Sequence, residues 1–195
     1  MAGRTWIGTI MRDLKGYMTP EEVWRVIEHG QTERDQVIMR MLWAFGCRVG
    51  ELLLLRVEDV SWKDNLVQLN TLKRRTPMSR VIQVDTDALQ VLKKYCSSIR
   101  IRKGFIFDIC ERRVEQIVAD AGARAGIPKV GSKKIHPHHF RHSHAVAFIR
   151  KNPTMEGLRK LQLRLGHADI NSTIHYLQFA TEEAAPEVEA VFGRP

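Results

Sequence analysis

The segment HPHHFRHSHAVAFIRKNPTMEGLRKLQLRLGHADINSTIHY, residues 136–176, decides how the rest of the chain is interpreted. It holds seven of the eight histidines, one of the three tyrosines and Arg141. Its apolar periodicity predicts two or three helices. Three chemical interpretations are open for this segment: a metal site, a solvated basic helix, or a pocket for a phosphate ester.

A metal site is the weakest of these interpretations. His138 and His142 share one helical face, but zinc requires three or four ligands and the HExxH signature is absent. Arg141, placed inside the cluster, would repel a divalent cation. We therefore predict neither a metal nor another cofactor.

A phosphate pocket accounts for the mixture of arginine and histidine. The guanidinium fork matches two phosphate oxygens, and imidazole can donate or shuttle a proton near neutral pH. Tyr176 follows His167 by nine residues, about two and a half helical turns, so both side chains could reach one pocket. Tyr176 is then the candidate nucleophile, and a half-buried structural tyrosine is the alternative.

The overall charge favours a polyanionic partner. The chain has 195 residues with 31 Lys and Arg against 22 Asp and Glu, a formal net charge of +9. Nucleic acid is the first expectation and an anionic membrane surface the second. A hydrophobic fraction of 44% is sufficient for the core of one domain with short extensions.

Cysteine usage and the N-terminus indicate a cytoplasmic protein. The three cysteines form no CxxC pair, as expected for reduced thiols in the cytosol. Residues 1–18 lack the apolar run of a signal peptide, and no run elsewhere is long enough to cross a bilayer.

Helix signals dominate the first third of the chain. Thr19-Pro20-Glu21-Glu22 predicts a capping box and a helix that ends near Gly30. Thr32 caps a second predicted helix, which Gly46 ends, and residues 48–55 start a third.

Two short β-rich runs, 66–70 and 80–84, predict a hairpin with a basic tip. Asp85 or Thr86 then caps a helix to about Ser97. Residues 105–107 form a short strand or a buried link, and residues 111–126 form another helix. The predicted fold class is mainly α with a small antiparallel sheet, and the alternating βαβ pattern of doubly wound folds is absent.

The order of these motifs resembles the catalytic domain of the tyrosine recombinase (phage integrase) family. The matching pieces are RVGE from Arg48, a lysine after the first hairpin strand, HHFRH, LGH, and a tyrosine nine residues further. The resemblance covers roughly residues 19–180. Its catalytic residues would be Arg48, Lys73, His138, Arg141, His167 and Tyr176.

The resemblance implies a role for each position. Arg48 and Arg141 would clamp the scissile phosphate, and His138 would hydrogen-bond it or assist proton transfer. His167 would support the transition state. Tyr176 would attack the phosphorus and form a 3′-phosphotyrosyl bond.

The resemblance also assigns the leaving-group proton to Lys73, with Arg74 and Arg75 beside it as rival basic residues at the hairpin tip. The implied transesterification requires neither ATP nor a metal ion, because the arginine pair supplies the positive charge. Glu51 would support the pocket by pairing with an arginine, and His142 would lie behind the catalytic groups.

Further cations are expected to contact DNA, although a solvated helix face or a basic tip touching only the backbone is a comparable explanation. These residues are Arg74, Arg75, Arg159, Lys160 and Arg164. The implied partners are double-stranded DNA and further copies of the chain. We expect a tetramer at synapsis and weak association or a monomer off DNA.

The expected organisation is an N-terminal arm at 1–18, a catalytic domain at 19–180 and a tail helix at 181–195 that is exchanged between subunits. Most family members carry a helical DNA-binding domain upstream, and here only about eighteen residues precede the first helix. Two alternatives to a recombinase remain: a type IB topoisomerase-like enzyme, and a DNA-binding regulator of the same fold without catalysis.

Overall fold

The computed structural model describes residues 16–71 and 78–176. The chain divides into two compact units, the first ending at His144 and the second beginning at Ala145. The helices are α1 Pro20–Glu28, α2 Glu33–Phe45, α3 Val49–Leu53, α4 Thr86–Ser98, α5 Glu111–Arg124, α6 Pro137–Lys151, α7 Met155–Leu165 and α8 Asn171–Ile174, with a 3-10 turn at Val57–Asp59. The strands are β1 Val60–Ser61, β2 Leu66–Thr71, β3 Met78–Gln83, β4 Lys129–Val130 and β5 Lys133–Lys134.

The first two helices begin where their caps predict. The Thr19 hydroxyl accepts from Glu22 N while the Glu22 carboxylate accepts from Thr19 N, which is a complete capping box. Thr32 caps α2 by accepting from Asp35 N. Both predicted helices are confirmed. Each begins at its cap because the cap side chain accepts a hydrogen bond from a backbone N–H that has no partner within the helix.

Gly46 ends α2 in a conformation that few other residues adopt. Its φ is +62°, and its carbonyl accepts a hydrogen bond of 2.8 Å from Arg141 Nη1 of α6. The His144 ring packs so closely that a Cβ on Gly46 would lie 2.5 Å from His144 Cδ2. His144 Nδ1 is also 2.7 Å from the Trp43 carbonyl oxygen. The end of α2 is therefore clamped against α6.

The sheet contains the predicted hairpin and one strand more. β2 pairs antiparallel with β3 from Leu66↔Gln83 to Thr71↔Met78, which confirms the hairpin, and β1 adds to the other edge of β2. The predicted basic tip lies outside the described residues. Sequence periodicity missed β1, β4 and β5 because two residues are too short for an alternating pattern.

The hydrophobic core of the first unit lies among α1, α2, α4, α5 and the sheet. Asp85 caps α4 by accepting from Ala88 N, so the first of the two predicted caps is the one used. Residues 105–107 form a link in which Ile106 and Phe107 are buried while Phe105 is exposed. Ile106 N donates to Leu55 O at 3.0 Å, and an isolated bridge joins Arg56 to Phe105. Cys47, Cys96 and Cys110 all carry free thiols.

The last residues of the predicted N-terminal arm pack against the first unit. Tyr17 and Met18 are buried, and Met18 N donates to Ser143 Oγ of α6 at 2.8 Å. Apolar side chains that can reach a core are stabilised there, so these two residues belong to the folded unit. The rest of the predicted arm, and the predicted tail helix, lie outside the described residues.

The second unit is helical over its described part. Thr154 caps α7 by accepting from Gly157 N, and Gly166 ends it with a φ of +68°. Leu158, Leu161 and Leu165 form its buried stripe. The focal segment thus contains three helices, and the predicted fold class of a mainly α protein with small antiparallel sheets is confirmed. No helix within the described residues is long and apolar enough to cross a membrane.

We predict that Gly46→Ala destabilises the protein more than Gly126→Ala. Both glycines have positive φ, +62° and +73°, so each alanine incurs a left-handed backbone cost of about 1–2 kcal/mol. Only Gly46 also meets a side chain, since nothing lies within 4 Å of a Cβ on Gly126. Urea unfolding of both variants measures the difference. Equal losses would show that the His144 ring yields without cost.

Candidate active site

The Glu51 carboxylate is the charged centre of the first unit. It is 3% exposed and accepts hydrogen bonds from Arg80 Nη1 and Nη2 at 3.0 and 2.8 Å. Thr71 Oγ1 donates to it at 2.8 Å. Arg48 contributes its backbone N at 2.9 Å and its Nη1 at 3.1 Å. One carboxylate thereby links α3 to β2 and β3.

The ionised state of Glu51 follows from these donors. Burial alone would raise the pKa of the carboxyl, but the hydrogen bonds from Arg80 and from Arg48 N outweigh it, together with the charge of Arg80. The pKa is held at about 2. Glu51 is therefore a fixed negative charge at neutral pH.

Cys47 lies beside this carboxylate and is unreactive. Its thiol is buried, and burial together with the neighbouring negative charge of Glu51 raises its pKa to about 12. A thiol that stays protonated is a poor nucleophile. Cys47 therefore contributes packing rather than chemistry here.

Arg48 begins α3 and keeps part of its side chain accessible. Glu51 bonds both its backbone N–H and its guanidinium, so the carboxylate orients the residue at two points. The Arg48 side chain is 39% exposed, while that of Glu51 is 3% exposed. The guanidinium is thus held from one side and open to an anion from the other.

Arg141 brings a second guanidinium to the same region from α6. It is 2% exposed and donates to the Gly46 carbonyl, two residues before Arg48. Burial, followed by repulsion from the charge of Arg48, lowers the Arg141 pKa to about 10. The side chain remains charged at neutral pH. Two like charges held near each other favour an anion between them.

His138 lies on the wall of an open cavity of about 580 Å³. Loss of hydration, then the positive charges of Arg141 and His136, lower its pKa, so the ring is neutral at pH 7. The cavity lining is formed by Cys47, Arg48, Val49, Gly50, Glu51, Leu53, Leu54, Asn70, Thr71, Glu111, Glu115, His136, Pro137 and His138. The first unit therefore brings together Arg48, Glu51, His138 and Arg141.

His139 has a structural role at the start of α6. Its ring is buried, and Nδ1 accepts from His136 N at 3.1 Å at the start of α6. Burial and the charge of His136 lower its pKa to about 4. His142, predicted to support the catalytic groups, is partly buried, with Nε2 3.8 Å from the position of a Cβ on Gly16.

The second unit carries the two remaining candidates, joined through Thr173. His167 Nδ1 lies 2.8 Å from Thr173 Oγ1, and Tyr176 N donates to Thr173 O at 3.0 Å. The Tyr176 ring is 4% exposed and tilts against His175 at 4.3 Å between centroids. Thr173, which is fully buried, therefore sets the local geometry of both.

The predicted DNA-contacting residues of α7 have partners within their own helix. Arg159 Nη1 donates to Gln162 Oε1 at 2.8 Å, and Lys160 Nζ pairs with Glu156 Oε1 at 2.6 Å. Arg164 is partly buried. Their contact with DNA stays a prediction. The catalytic candidate Lys73, with Arg74 and Arg75, lies outside the described residues.

Arg80, Thr71 and Thr173 were not predicted from the sequence. A usable signal existed for Arg80, which lies two residues before the buried Ile82 and so shares its face of β3. A charge on the core face of a strand requires a buried partner. Among the described residues, no group of three or more His, Cys, Asp and Glu side chains could hold a metal ion.

Comparison with known proteins gives the family. The phage integrase family matches residues 16–183. The chain belongs to the phage integrase family.

Two curated relatives of this integrase-family chain are named as recombinases. A tyrosine recombinase of Thermosipho africanus is 28% identical over 178 residues, covering 89% of this chain and 61% of the relative. The tyrosine recombinase XerA of Pyrococcus horikoshii is 25% identical over 193 residues, covering 94% of this chain and 66% of that protein. The chain spans about three fifths of the length of the first curated relatives it matches.

Solved structures establish the fold. A crystal structure of XerA recombinase matches with a TM-score of 0.72 at 24% identity, covering 92% of this chain and 64% of that chain. The catalytic domain of bacteriophage HP1 integrase matches with a TM-score of 0.66 at 21% identity, covering 92% of this chain and 95% of that chain. A crystal structure of XerH site-specific recombinase bound to difH substrate matches with a TM-score of 0.69 at 19% identity, covering 88% of this chain and 52% of that chain.

We predict that Arg80→Gln lowers the free energy of unfolding of this integrase-family chain by about 3 kcal/mol, the lower end for breaking a buried ion pair. Arg48 and Thr71 still donate to Glu51 in the variant, which limits the loss. Arg102→Gln is the matched control, because Arg102 is exposed and should change stability by less than about 0.5 kcal/mol.

Adding Glu51→Gln to Arg80→Gln should recover part of the loss, since the buried charge is then removed with its partner. Urea denaturation of the single and double variants measures the coupling. If the loss in free energy of unfolding in the double variant equalled the sum of the losses in the two single variants, the assigned ion pair would be contradicted.

We predict that His139 makes stability fall as pH falls from about 6.5 to about 4. The folded pKa of about 4 lies below the unfolded value of about 6.5, so the unfolded chain binds the proton first. The stabilisation from the neutral His139 ring is fully present above pH 6.5. Below that pH, each unit of acidification lowers the folding equilibrium constant by up to about tenfold.

His139→Asn keeps an acceptor for His136 N but does not titrate, so its stability should depend less on pH in this window. Urea unfolding at pH 7.5, 5.5 and 4.5 compares the two proteins. Identical pH profiles would remove His139 as the cause.

Proposed function

We propose that this chain carries the catalytic part of a site-specific DNA recombinase that cleaves and rejoins DNA through a covalent 3′-phosphotyrosyl intermediate. The supporting observation is the pairing of two arginines of different burial, Arg48 and Arg141, beside His138. A fixed pair of guanidinium groups suits a phosphodiester whose charge develops on its non-bridging oxygens. Family membership supports the same reaction class.

In the proposed mechanism Arg48 and Arg141 bind the two non-bridging oxygens of the scissile phosphate. Glu51 keeps Arg48 oriented without neutralising the site fully, because its charge is shared with Arg80. His138, neutral at pH 7, donates a hydrogen bond to the phosphate or carries a proton. The two arginines supply the positive charge that a metal ion supplies in other phosphoryl-transfer sites.

The bond changes balance without a cofactor. The Tyr176 phenol oxygen bonds to phosphorus and transfers its proton to solvent water, while the bond from phosphorus to the 5′ oxygen breaks. Lys73 protonates that 5′ oxygen as it leaves, and His167 supports the transition state. Attack by a 5′ hydroxyl reverses the sequence and reseals a strand. One phosphodiester replaces another, so neither ATP nor a redox partner is required.

Tyr176 must become accessible for this reaction, because its ring is 4% exposed in the free chain. Its backbone bond to Thr173 and the contact of Thr173 with His167 keep the nucleophile and the histidine in one local frame. We infer that DNA binding uncovers the phenol. Double-stranded DNA is the proposed substrate, and further copies of the chain, as a tetramer at synapsis, are the proposed partners.

The decisive experiment uses a nicked suicide duplex that carries the recombination site, which is first identified by searching the DNA that flanks the gene for short inverted repeats. Wild-type protein should form a covalent adduct that withstands denaturing electrophoresis, and Tyr176→Phe should form none, because the nucleophilic oxygen is missing. Tyr95→Phe is the matched control: Tyr95 is buried and stacked on Phe107, and its adduct yield should match wild type.

Three outcomes would overturn the proposal in different ways. An adduct from Tyr176→Phe would remove Tyr176 as the nucleophile. Relaxation of supercoiled plasmid by monomers without sequence preference would indicate the topoisomerase alternative. Full occupancy of the site by wild type with no adduct would indicate a DNA-binding regulator.

A further inference from the structure

The hairpin of β4 and β5 is a basic element that packs on α5 and contains none of the proposed catalytic residues. Its two-residue loop begins with Gly131 at a φ of +59°, as a tight hairpin turn requires. Ile135 N donates to Pro128 O at 3.1 Å, and Ile135 is buried. Ile135 approaches α5 so closely that a Cβ on Gly122 would lie 2.5 Å from Ile135 Cγ2.

Lysines occupy both faces of this hairpin. Lys129 and Lys134 lie directly opposite each other in the antiparallel register and share one face, while Lys133 lies opposite the buried Val130 on the other. All three are exposed, and none forms an ion pair with another residue in the described part of the chain. Like charges opposite each other destabilise a hairpin. An anion that binds Lys129 and Lys134 together would remove the repulsion between them.

The hairpin leads directly into the candidate active site. Lys134 precedes His136 by two residues, and His136, Pro137 and His138 all line the cavity beside Arg48. The charge of Lys133 is near enough to contribute to the lowered pKa values of His136 and His138. The lysines therefore extend the positive region of the site along the chain that enters α6.

We propose that the hairpin formed by Lys129, Lys133 and Lys134 binds backbone phosphates of the DNA strand next to the phosphate held by Arg48 and Arg141. The identity of the polyanion as duplex DNA rests on the proposed function. The hairpin is a binding element that positions the strand, and its lysines take no part in bond making or breaking.

The dimensions of a duplex strand fit this assignment. Three residues of extended chain, from Lys133 to His136, span at most about 10 Å. Phosphates follow one another by about 3.4 Å along the axis of one strand. A strand with one phosphate at the site therefore has its next phosphates within the reach of the hairpin. The formal net charge of +9 favours the same partner.

The test measures how DNA affinity depends on salt. The wild-type chain and the triple variant Lys129→Gln/Lys133→Gln/Lys134→Gln are titrated against a fluorescent duplex of about 30 base pairs and arbitrary sequence. The salt concentration is varied between about 50 and 200 mM, the range over which phosphate contacts make affinity strongly salt-dependent. Each lost phosphate contact reduces the slope of log K against log salt by about 0.9, so we expect a reduction of about 1 to 3.

The matched control is Lys63→Gln/Lys93→Gln/Lys94→Gln, which removes the same charge from exposed lysines elsewhere in the first unit. Its slope should equal that of wild type. The hairpin variant should also unfold at the same or a higher temperature, because the repulsion between Lys129 and Lys134 is gone.

A wild-type slope in the hairpin variant, or an equal reduction in both triple variants, would overturn the proposal. The suicide-duplex assay separates this failure from failure of the proposed function. If the wild-type chain forms the adduct and the hairpin variant keeps the wild-type salt slope, only the role of the hairpin is rejected. A reduced slope without any adduct from wild type retains the hairpin and rejects the recombinase.

Discussion

The buried carboxylate of Glu51 is the interaction on which the first unit depends. A single negative charge that is 3% exposed must be matched by hydrogen-bond donors. These come from Arg48, which directly precedes α3, from Thr71 on β2 and from Arg80 on β3. The arrangement joins the sheet to the helix that begins the candidate site. It also restricts the Arg48 guanidinium on one side and leaves the other side for an anion. Stability and the proposed binding of the phosphate therefore depend on the same group.

The second constraint is the meeting of α6 with the end of α2 at Gly46. The left-handed glycine exposes its carbonyl to Arg141, and the absence of a Cβ allows the His144 ring to pack against it. Residues 95 positions apart are connected in this way. The buried Arg141 is thereby placed near Arg48, where the two positive charges repel each other. In the proposed mechanism the scissile phosphate binds between the two arginines and offsets this repulsion.

Much of the fold was predictable because its signals are local. Thr19, Thr32 and Asp85 cap helices through atoms three residues away, and Gly46 ends one through its own backbone conformation. Strands of two residues were not predictable, since they exist only through pairing and carry no period of their own. The burial of Tyr17 and Met18 was missed for a related reason: their partner, Ser143 on α6, lies 125 residues away from Met18.

The sequence by itself determined the helices, the main hairpin, the basic charge and the set of residue types that a phosphodiester requires. It also determined family membership, because that set occurs in a characteristic order. Only the tertiary structure decided that Arg80 and Thr71 share the carboxylate of Glu51, that Thr173 links His167 to Tyr176, and that His139 is a neutral structural acceptor. These facts depend on burial and on distances between atoms far apart in the chain. Ionisation and orientation follow from the donors that the folded chain brings to each group.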